Sequence, residues 1–468
     1  MKRLAASMVC GVLAGCASLQ QAGPAAAPLQ PPPAWTAATA VSPGADATAL
    51  AAWWRRFDEA VLPPLVEQAL AGSTDIAAAR ARLRQARAQH ELATAGRTLS
   101  VGGSGSAQAS RSDGRATSEQ YRLGIDASWE ADLWGGAAAG VRAAEAGAVA
   151  SAATLGATRV AIAAEVALNL LQLRGTQARL VIARDSLASQ RQTLQIVQWR
   201  AEAGLVTQLD VEQARTAVEQ TRAQIPALEA SAAQAMNALA VLTGRVPGAL
   251  AAELAASSPA RAPNAPPDLA LALPAEVLRQ RPDVHAAEQQ LLAAAARIEQ
   301  ADAERLPSLS LGGSVGLNAI SLGALGSGAG VASLLASVSV PLFDGGRLRA
   351  QVRGQEAARD EAEANYRATL LAALQEVEDV LVSLRSTREQ LAAQQAAAAS
   401  ARSAATLAEQ RYRSGLVDFQ NVLQTQRTLL SAEDGVAATA TTLATQHVRL
   451  YKALGGGWSP LTEAATPS

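Results

Sequence analysis

Two hydrophobic periods alternate along this chain. In Gln120–Glu130 the apolar residues Tyr121, Leu123, Ile125, Ala127 and Trp129 take every second place, with Arg122, Gly124, Asp126, Ser128 and Glu130 between them. Ser308–Asn318 does the same, setting Leu309, Leu311, Val315 and Leu317 against Ser308, Ser310, Ser314 and Asn318. Period two predicts strands with one apolar and one polar face. Elsewhere the period is seven. Val166, Leu173, Leu180, Leu187 and Leu194 form one such series; Val211, Val218 and Ile225, with Leu228, Ala235 and Leu242, form a second. Leu370, Leu374, Val377, Leu381 and Leu384 step by four and three, and Val422, Leu429, Val436, Leu443 and Leu450 follow. Such series predict long helices that each keep one face on a neighbour and supercoil left-handedly.

The elements come twice. Leu99-Ser100-Val101-Gly102-Gly103-Ser104 returns as Leu309-Ser310-Leu311-Gly312-Gly313-Ser314, and Leu133-Trp134-Gly135-Gly136 as Phe343-Asp344-Gly345-Gly346. Gly204-Leu205-Val206 returns as Gly415-Leu416-Val417, and Asp75-Ile76 more loosely as Asp283-Val284. The offset is about 210 residues, far beyond the ~20–50 of a solenoid unit, so one large unit is duplicated. The first repeat is predicted over 53–245, with strands at about 98–110 and 119–131, a long helix 136–203 and a return helix 209–243. A Pro-rich connector, 246–267, leads to the second repeat, 268–457. Its strands are predicted at about 308–318 and 331–343, its long helix at 346–414 and its return helix at 419–454, before a tail 458–468. Each long helix would reach roughly 100 Å at 1.5 Å per residue. Helices 74–97 and 282–305 would stack end to end on the shorter return helices, and Pro226 should bend the first return helix unless accommodated locally.

Strands of this length with one polar face fit a transmembrane barrel with a wet lumen, or a soluble sandwich if the apolar face turns inward. Asn318–Phe343 carries no charge, but its Gly/Ser-rich middle and the alternation at Ser337-Val338-Ser339-Val340 favour a loop and a strand over a membrane helix. Four strands cannot close a barrel in lipid, because open edges leave backbone groups unsatisfied. Other copies of the chain must complete it, and a trimer gives twelve strands. The expected fold is thus an α+β membrane protein: a trimeric twelve-stranded β-barrel continued by a long α-helical barrel.

Charge and chemistry narrow the function. With 40 basic and 41 acidic side chains, a nucleic-acid partner is not expected. The histidines His90, His285 and His447 are scattered, so neither a metal site, a cofactor nor a catalytic constellation is expected. Both cysteines, Cys10 and Cys16, lie near the start. Lys2 and Arg3 precede the apolar run Leu4–Leu13, which has signal-peptide length. Leu13-Ala14-Gly15-Cys16 resembles the bacterial lipoprotein box, which implies a signal peptide 1–15, N-acyl and S-diacylglycerol groups on Cys16 and a lipidated tether 16–52. Ala17 and Ser18 after that cysteine imply sorting to the outer membrane.

Several stretches together resemble the TolC-like outer-membrane factors, in their NodT-type lipoprotein branch. They are Trp53-Trp54-Arg55-Arg56-Phe57-Asp58, then Leu273-Pro274-Ala275-Glu276-Val277-Leu278-Arg279-Gln280-Arg281-Pro282-Asp283-Val284, and Pro341-Leu342-Phe343-Asp344-Gly345-Gly346. The resemblance covers almost everything after the tether. It implies a homotrimeric passive duct in outer-membrane lipid, engaged by a periplasmic adaptor and an inner-membrane pump of the resistance-nodulation-division class. The expected cargo is small toxic compounds. A duct for secreted polypeptides is the runner-up, and a coiled-coil lipoprotein scaffold without a pore is the alternative of another class.

The resemblance also places the two Gly-Leu-Val turns at the narrow periplasmic end. Gly204 and Gly415 would supply the permissive backbone there. Leu205, Val206, Leu416 and Val417 would expose apolar side chains that an adaptor covers, or would simply staple the hairpins. Asp210 is expected to cap its helix, and Asn421 to cap equally well. Relatives often carry carboxylates at the second tip, but here Asn421 and Gln424 are amides and only Asp418 is acidic. Arg411, Tyr412 and Arg413 are the expected closing contacts of the aperture, with Asp418 and Gln424 beside them.

Overall fold

A computed structural model describes residues 34–35, 50–111, 117–256, 262–266 and 281–458. Cys16, the signal peptide, nearly all of the tether, parts of the connector, the Leu273–Gln280 part of the family motif and the tail beyond Trp458 lie outside the described residues.

After a 3-10 turn at Trp53–Arg56 come α1 (Leu62–Gly72) and α2 (Thr74–Ala95), then β1 (Ser100–Ser110) and β2 (Ser118–Ala131). The long α3 (Gly136–Glu202) reverses into α4 (Gln208–Leu242), and a short α5 (Ala251–Ala256) follows. The second repeat supplies α6 (Pro282–Ala303), β3 (Ser308–Ala319), β4 (Ala329–Ser339), the long α7 (Arg347–Arg413) and its return α8 (Phe419–Ala453).

The four strands form one antiparallel sheet in the order β1-β2-β3-β4. Its register keeps the two faces separate. Ser104 opposes Gly124, Arg122 opposes Asn318, and Ser310 opposes Ser337 on one face; Leu123 opposes Leu317 and Ile125 opposes Val315 on the other. At the centre of β2–β3, Gly124 faces Gly316. A Cβ on Gly316 would lie 2.5 Å from the Leu123 carbonyl oxygen, so this close approach requires glycine. The last strand ends at Ser339, short of the 343 expected from alternation. Pro341 cannot donate to a ladder, and 340–344 runs as irregular chain to the turn at Gly345–Gly346 that opens α7.

Each long helix starts from a left-handed glycine, Gly135 at φ 75° and Gly346 at φ 89°. A carboxylate covers the free N–H groups there: Asp132 accepts from Ala137 and Ala138 at 3.1 and 2.8 Å, and Asp344 from Gly346 and Leu348 at 2.9 and 2.8 Å. Those backbone donors hold the Asp344 carboxyl below its usual pKa.

α3 packs along α4, α6, α8 and α2, so it is the most enclosed element. The main core sits midway along it, where Leu170, Leu171 and Leu173 meet α1, the end of α4 and the end of α8. Trp53 stacks on Tyr451 at 5.3 Å between centroids, and Trp54 and Phe57 meet Trp53 edge-on. Arg174 is fully buried in this belt. It donates to both Glu59 oxygens, at 2.9 and 3.1 Å, and to the Leu254 carbonyl at 3.2 Å. The short helices meet the return helices end to end here. Gly72 abuts Thr243, and Arg281 before α6 donates to the Ala453 carbonyl at the end of α8 at 2.7 Å. Pro226 leaves α4 unbroken. It lies on an exposed face, where water can take the carbonyl it frees.

Candidate functional site

Two surfaces remain for function: the hairpin tips and the polar face of the sheet. At the first tip the Gly204 N–H bonds the Ala201 carbonyl at 2.9 Å and the Leu205 N–H bonds the Arg200 carbonyl at 2.8 Å. At the second tip Gly415 bonds Tyr412 at 3.0 Å and Leu416 bonds Arg411 at 2.9 Å. Both glycines have φ +72°, so each long helix ends in a Schellman turn that a side chain would strain. The Leu-Val pairs divide. Leu205 and Leu416 are 73% and 74% exposed. Val206 and Val417 turn inward against a cluster of Val197, Val211, Tyr412, Phe419 and Val422. Leucine is therefore the open residue of each tip and valine its staple.

The tips differ in their caps. Thr207 and Asp210 form a reciprocal capping box: the Asp210 N–H bonds Thr207 Oγ1 at 3.3 Å, and the Thr207 N–H and hydroxyl donate to Asp210 Oδ2 at 3.0 and 2.8 Å. The second tip has no such box, contrary to the expectation for Asn421. Its cap residue is Asp418, which makes no side-chain cap bond. The Asp418 carboxylate, although a competent acceptor, is not turned onto the first N–H groups of α8, and the Asn421 N–H bonds the Asp418 carbonyl at 3.1 Å. Asp418, Asn421 and Gln424 stay exposed.

Tyr412 is buried between the two hairpins of one chain. Its ring lies 5.9 Å from that of Phe419, and the Arg200 guanidinium sits over its other face, Cζ 4.3 Å from the centroid. Arg200 also donates to the Arg413 carbonyl at 3.0 Å. Burial pushes the Tyr412 hydroxyl pKa up, against the pull of Arg200. The Arg413 side chain pairs with Glu409, and Gln420 donates to Gln213 across the hairpins. Arg411 is exposed and serves the turn through its carbonyl.

Arg200 stands where Arg411 stands in the second repeat, and nothing in its own sequence neighbourhood marks it as a contact residue. Two further apolar residues, Trp199 and Leu209, are 60% and 65% exposed beside the first tip. Both lie off the heptad seam, and their repeat counterparts are Gln410 and Gln420. That contrast was the available signal.

On the polar face of the sheet, Arg122 Nε donates to Asn318 Oδ1 at 3.0 Å and Ser104 bonds Asp126. Ser310 bonds Ser337 at 2.6 Å and Ser314 bonds Ser333 at 2.8 Å. The opposite face leaves Leu123, Ile125, Val315 and Leu334 exposed. An apolar outer surface over a hydrogen-bonded polar one is the pattern of a strand wall between lipid and water.

Residues 65–245 and 273–456 match the outer membrane efflux protein family. The pyoverdine export outer membrane protein OpmQ of Pseudomonas putida is 33% identical over 442 residues, covering 92% of this chain and 93% of that protein. The solvent efflux pump outer membrane protein SrpC, also of Pseudomonas putida, is 32% identical over 462 residues, 96% of this chain and 97% of its own. Among solved structures, the outer-membrane channel OprN superposes with a TM-score of 0.83 at 35% identity, covering 91% of this chain and 99% of that one. The open state of the Neisseria gonorrhoeae MtrE channel gives 0.82 at 27%, covering 92% and 97%.

Proposed function

The chain belongs to the outer membrane efflux protein family, and on that premise we propose that its two leucine-tipped hairpins are the docking and gating end of a small-molecule export duct. The protein is the outer-membrane channel of a tripartite efflux pump, a trimer whose sheets close a β-barrel and whose helices project into the periplasm. An adaptor and an inner-membrane pump complete the assembly. The observation that carries the docking reading is the exposure of Leu205 and Leu416 at tips whose valines are tucked in. Apolar side chains held in water at a rigid turn favour a partner that covers them.

The duct itself does no chemistry. Its polar inner face offers serines, Arg122, Asn318 and Asp126 to a hydrated cargo, and the adjoining pump supplies the energy. Small toxic compounds are the proposed cargo, in line with a relative named for solvent efflux beside one named for pyoverdine export. A pump of the resistance-nodulation-division class is the proposed partner. Closure at the tips rests on Tyr412 with Arg411 and Arg413, aided by Arg200. Opening is a population shift in which the adaptor stabilises the state lacking those contacts. Asp418 and Gln424 would then line the aperture. Cys16 is the proposed lipid anchor, through a diacylglycerol thioether and an N-acyl group.

Deleting the gene should sensitise cells to solvents and amphipathic toxicants. Complementation with Leu205→Asp/Leu416→Asp should fail although the protein reaches the outer membrane. Full resistance with both leucines replaced would end the docking assignment. A Cys16→Ser variant should take up no labelled palmitate.

A further inference from the structure

The internal repeat carries a template for the contact between subunits. Within one chain the upper helices lie in the order α2, α3, α6, α7, each packed on the next. In the repeat, α2 corresponds to α6 and α3 to α7. The pairs α2–α3 and α6–α7 are therefore one contact made twice. The contact α3–α6 has no second example inside the chain; its counterpart is α7 against the α2 of another copy.

Burial supports this. Ala139, Ala143 and Ala153 of α3 are buried at its packed faces. Their counterparts in α7 are Ala350, Gly354 and Ala364, just as small yet exposed. Small residues in a row on an otherwise charged helix suit a second helix at close range, and here it is missing from the single chain. Ala296 of α6 is likewise buried, while Ala88, its counterpart in α2, is exposed.

The helix ends set the register. Both short helices have 22 residues and both long ones 67, so α2 maps onto α6 from Thr74 to Pro282, and α3 onto α7 from Gly136 to Arg347. Across α3–α6 the Arg142 guanidinium pairs with the Glu299 carboxylate. The counterparts of these two residues are Arg353 and Glu91, which preserve the charge pair. One side of the same in-chain gap holds Val149 and Leu292, which map to Asp360 and Arg84. Two apolar residues that line the gap inside the chain thus become opposite charges at the subunit boundary. Asp360 is held at its own end by Arg359.

We propose that, in the trimer, α7 of each subunit packs antiparallel on α2 of the next in this register. Arg353 meets Glu91 of the partner subunit, and Asp360 meets Arg84 of the partner subunit. The proposal rests on the trimeric reading of the family and adds the residues that join its members. Charge complementarity here selects the correct helix and height during assembly, since a shift of one turn would disrupt both pairs.

Charge reversal tests it on the full-length chain in detergent, with trimer and monomer separated on gels after graded heating. Arg353→Glu or Glu91→Arg alone should lower the trimer-to-monomer ratio at the wild-type midpoint by roughly threefold or more, the scale of exposed ion pairs summed over three copies. The two together should restore it, because the pair is re-formed with its signs exchanged. Additive losses in the double variant, or no loss in either single variant, would overturn the register. A second measurement is independent of ion-pair strength. With Cys16 as the only native cysteine of the mature chain, Glu356→Cys with Ala88→Cys should be joined between subunits by a short bis-maleimide. Ala368→Cys with Ala88→Cys, displaced by about 18 Å at 1.5 Å per residue, should not. Equal cross-linking of both pairs would refute the contact, while a wild-type protein that never runs as a trimer would instead refute the trimeric reading itself.

Discussion

The guanidinium of Arg200, at the end of one long helix, lies 4.3 Å above the Tyr412 ring at the end of the other and donates to the Arg413 carbonyl at 3.0 Å. One side chain thus ties the first hairpin to the second by a cation–π contact and a charge-assisted hydrogen bond. Arg200→Ala and Tyr412→Ala should each raise single-channel conductance in planar bilayers, and the double variant should add little to either. Tyr412→Phe should leave conductance near wild type, since the ring makes the contact with Arg200. Unchanged conductance in both alanine variants would remove this contact from the gate.

Unequal caps imply unequal tips. Thr207→Ala removes the reciprocal box and should destabilise the start of α4 by about 1 kcal/mol. Asp418→Ala removes no side-chain cap bond, only a favourable charge near a helix dipole, and should cost about 0.3–1 kcal/mol at most. Amide hydrogen exchange at the two turns measures the difference; equal effects would contradict the two geometries.

Arg174 is fully buried, and its partner Glu59 is nearly so. Arg174→Ala leaves Glu59 without its bidentate partner and should destabilise the equatorial belt by about 3–5 kcal/mol. Thermal unfolding of the detergent-solubilised protein reads this directly. Arg55→Ala, which breaks a pair exposed on both sides, should lie within about 1 kcal/mol of wild type.

Asp283 sets an acid limit. Burial alone would raise its carboxyl pKa, but Arg281 and backbone N–H groups outweigh burial and hold it below the usual value. Arg281 binds it at 2.8 Å while also reaching Glu376 and the end of α8. A depressed carboxyl contributes its full stability above the unfolded pKa of about 4 and loses it as pH falls through the folded value. The thermal midpoint should therefore be insensitive to this group at neutral pH and fall below about pH 4. Asp283→Asn should start lower and show a shallower acid fall.

Much of this architecture is legible from period alone. Alternation at Tyr121–Trp129 and the heptads through Leu173 and Leu443 encode faces, and a face is a local property of sequence. The tips were legible as turns because Gly204 and Gly415 interrupt strong helical series. What stayed hidden depends on which face meets which partner. Val206 and Leu205 are equally apolar in sequence, and only the third dimension turns one inward. Arg200 looked like any solvated arginine until the second hairpin brought Tyr412 beneath it. The overrun of β4 beyond Ser339 had a visible signal in Pro341, outvoted by the alternation before it.

The facing pair Gly124 and Gly316 has a consequence for how this wall can age. At Gly316 the neighbouring backbone comes too close for a β-carbon, and at Gly124 a β-carbon would press on the Val315 carbonyl oxygen at 3.2 Å, so the tighter constraint sits on the second repeat's strand. Such a spot acts as a ratchet on sequence change. The two repeats are thereby bound to one another at the point where their strands touch.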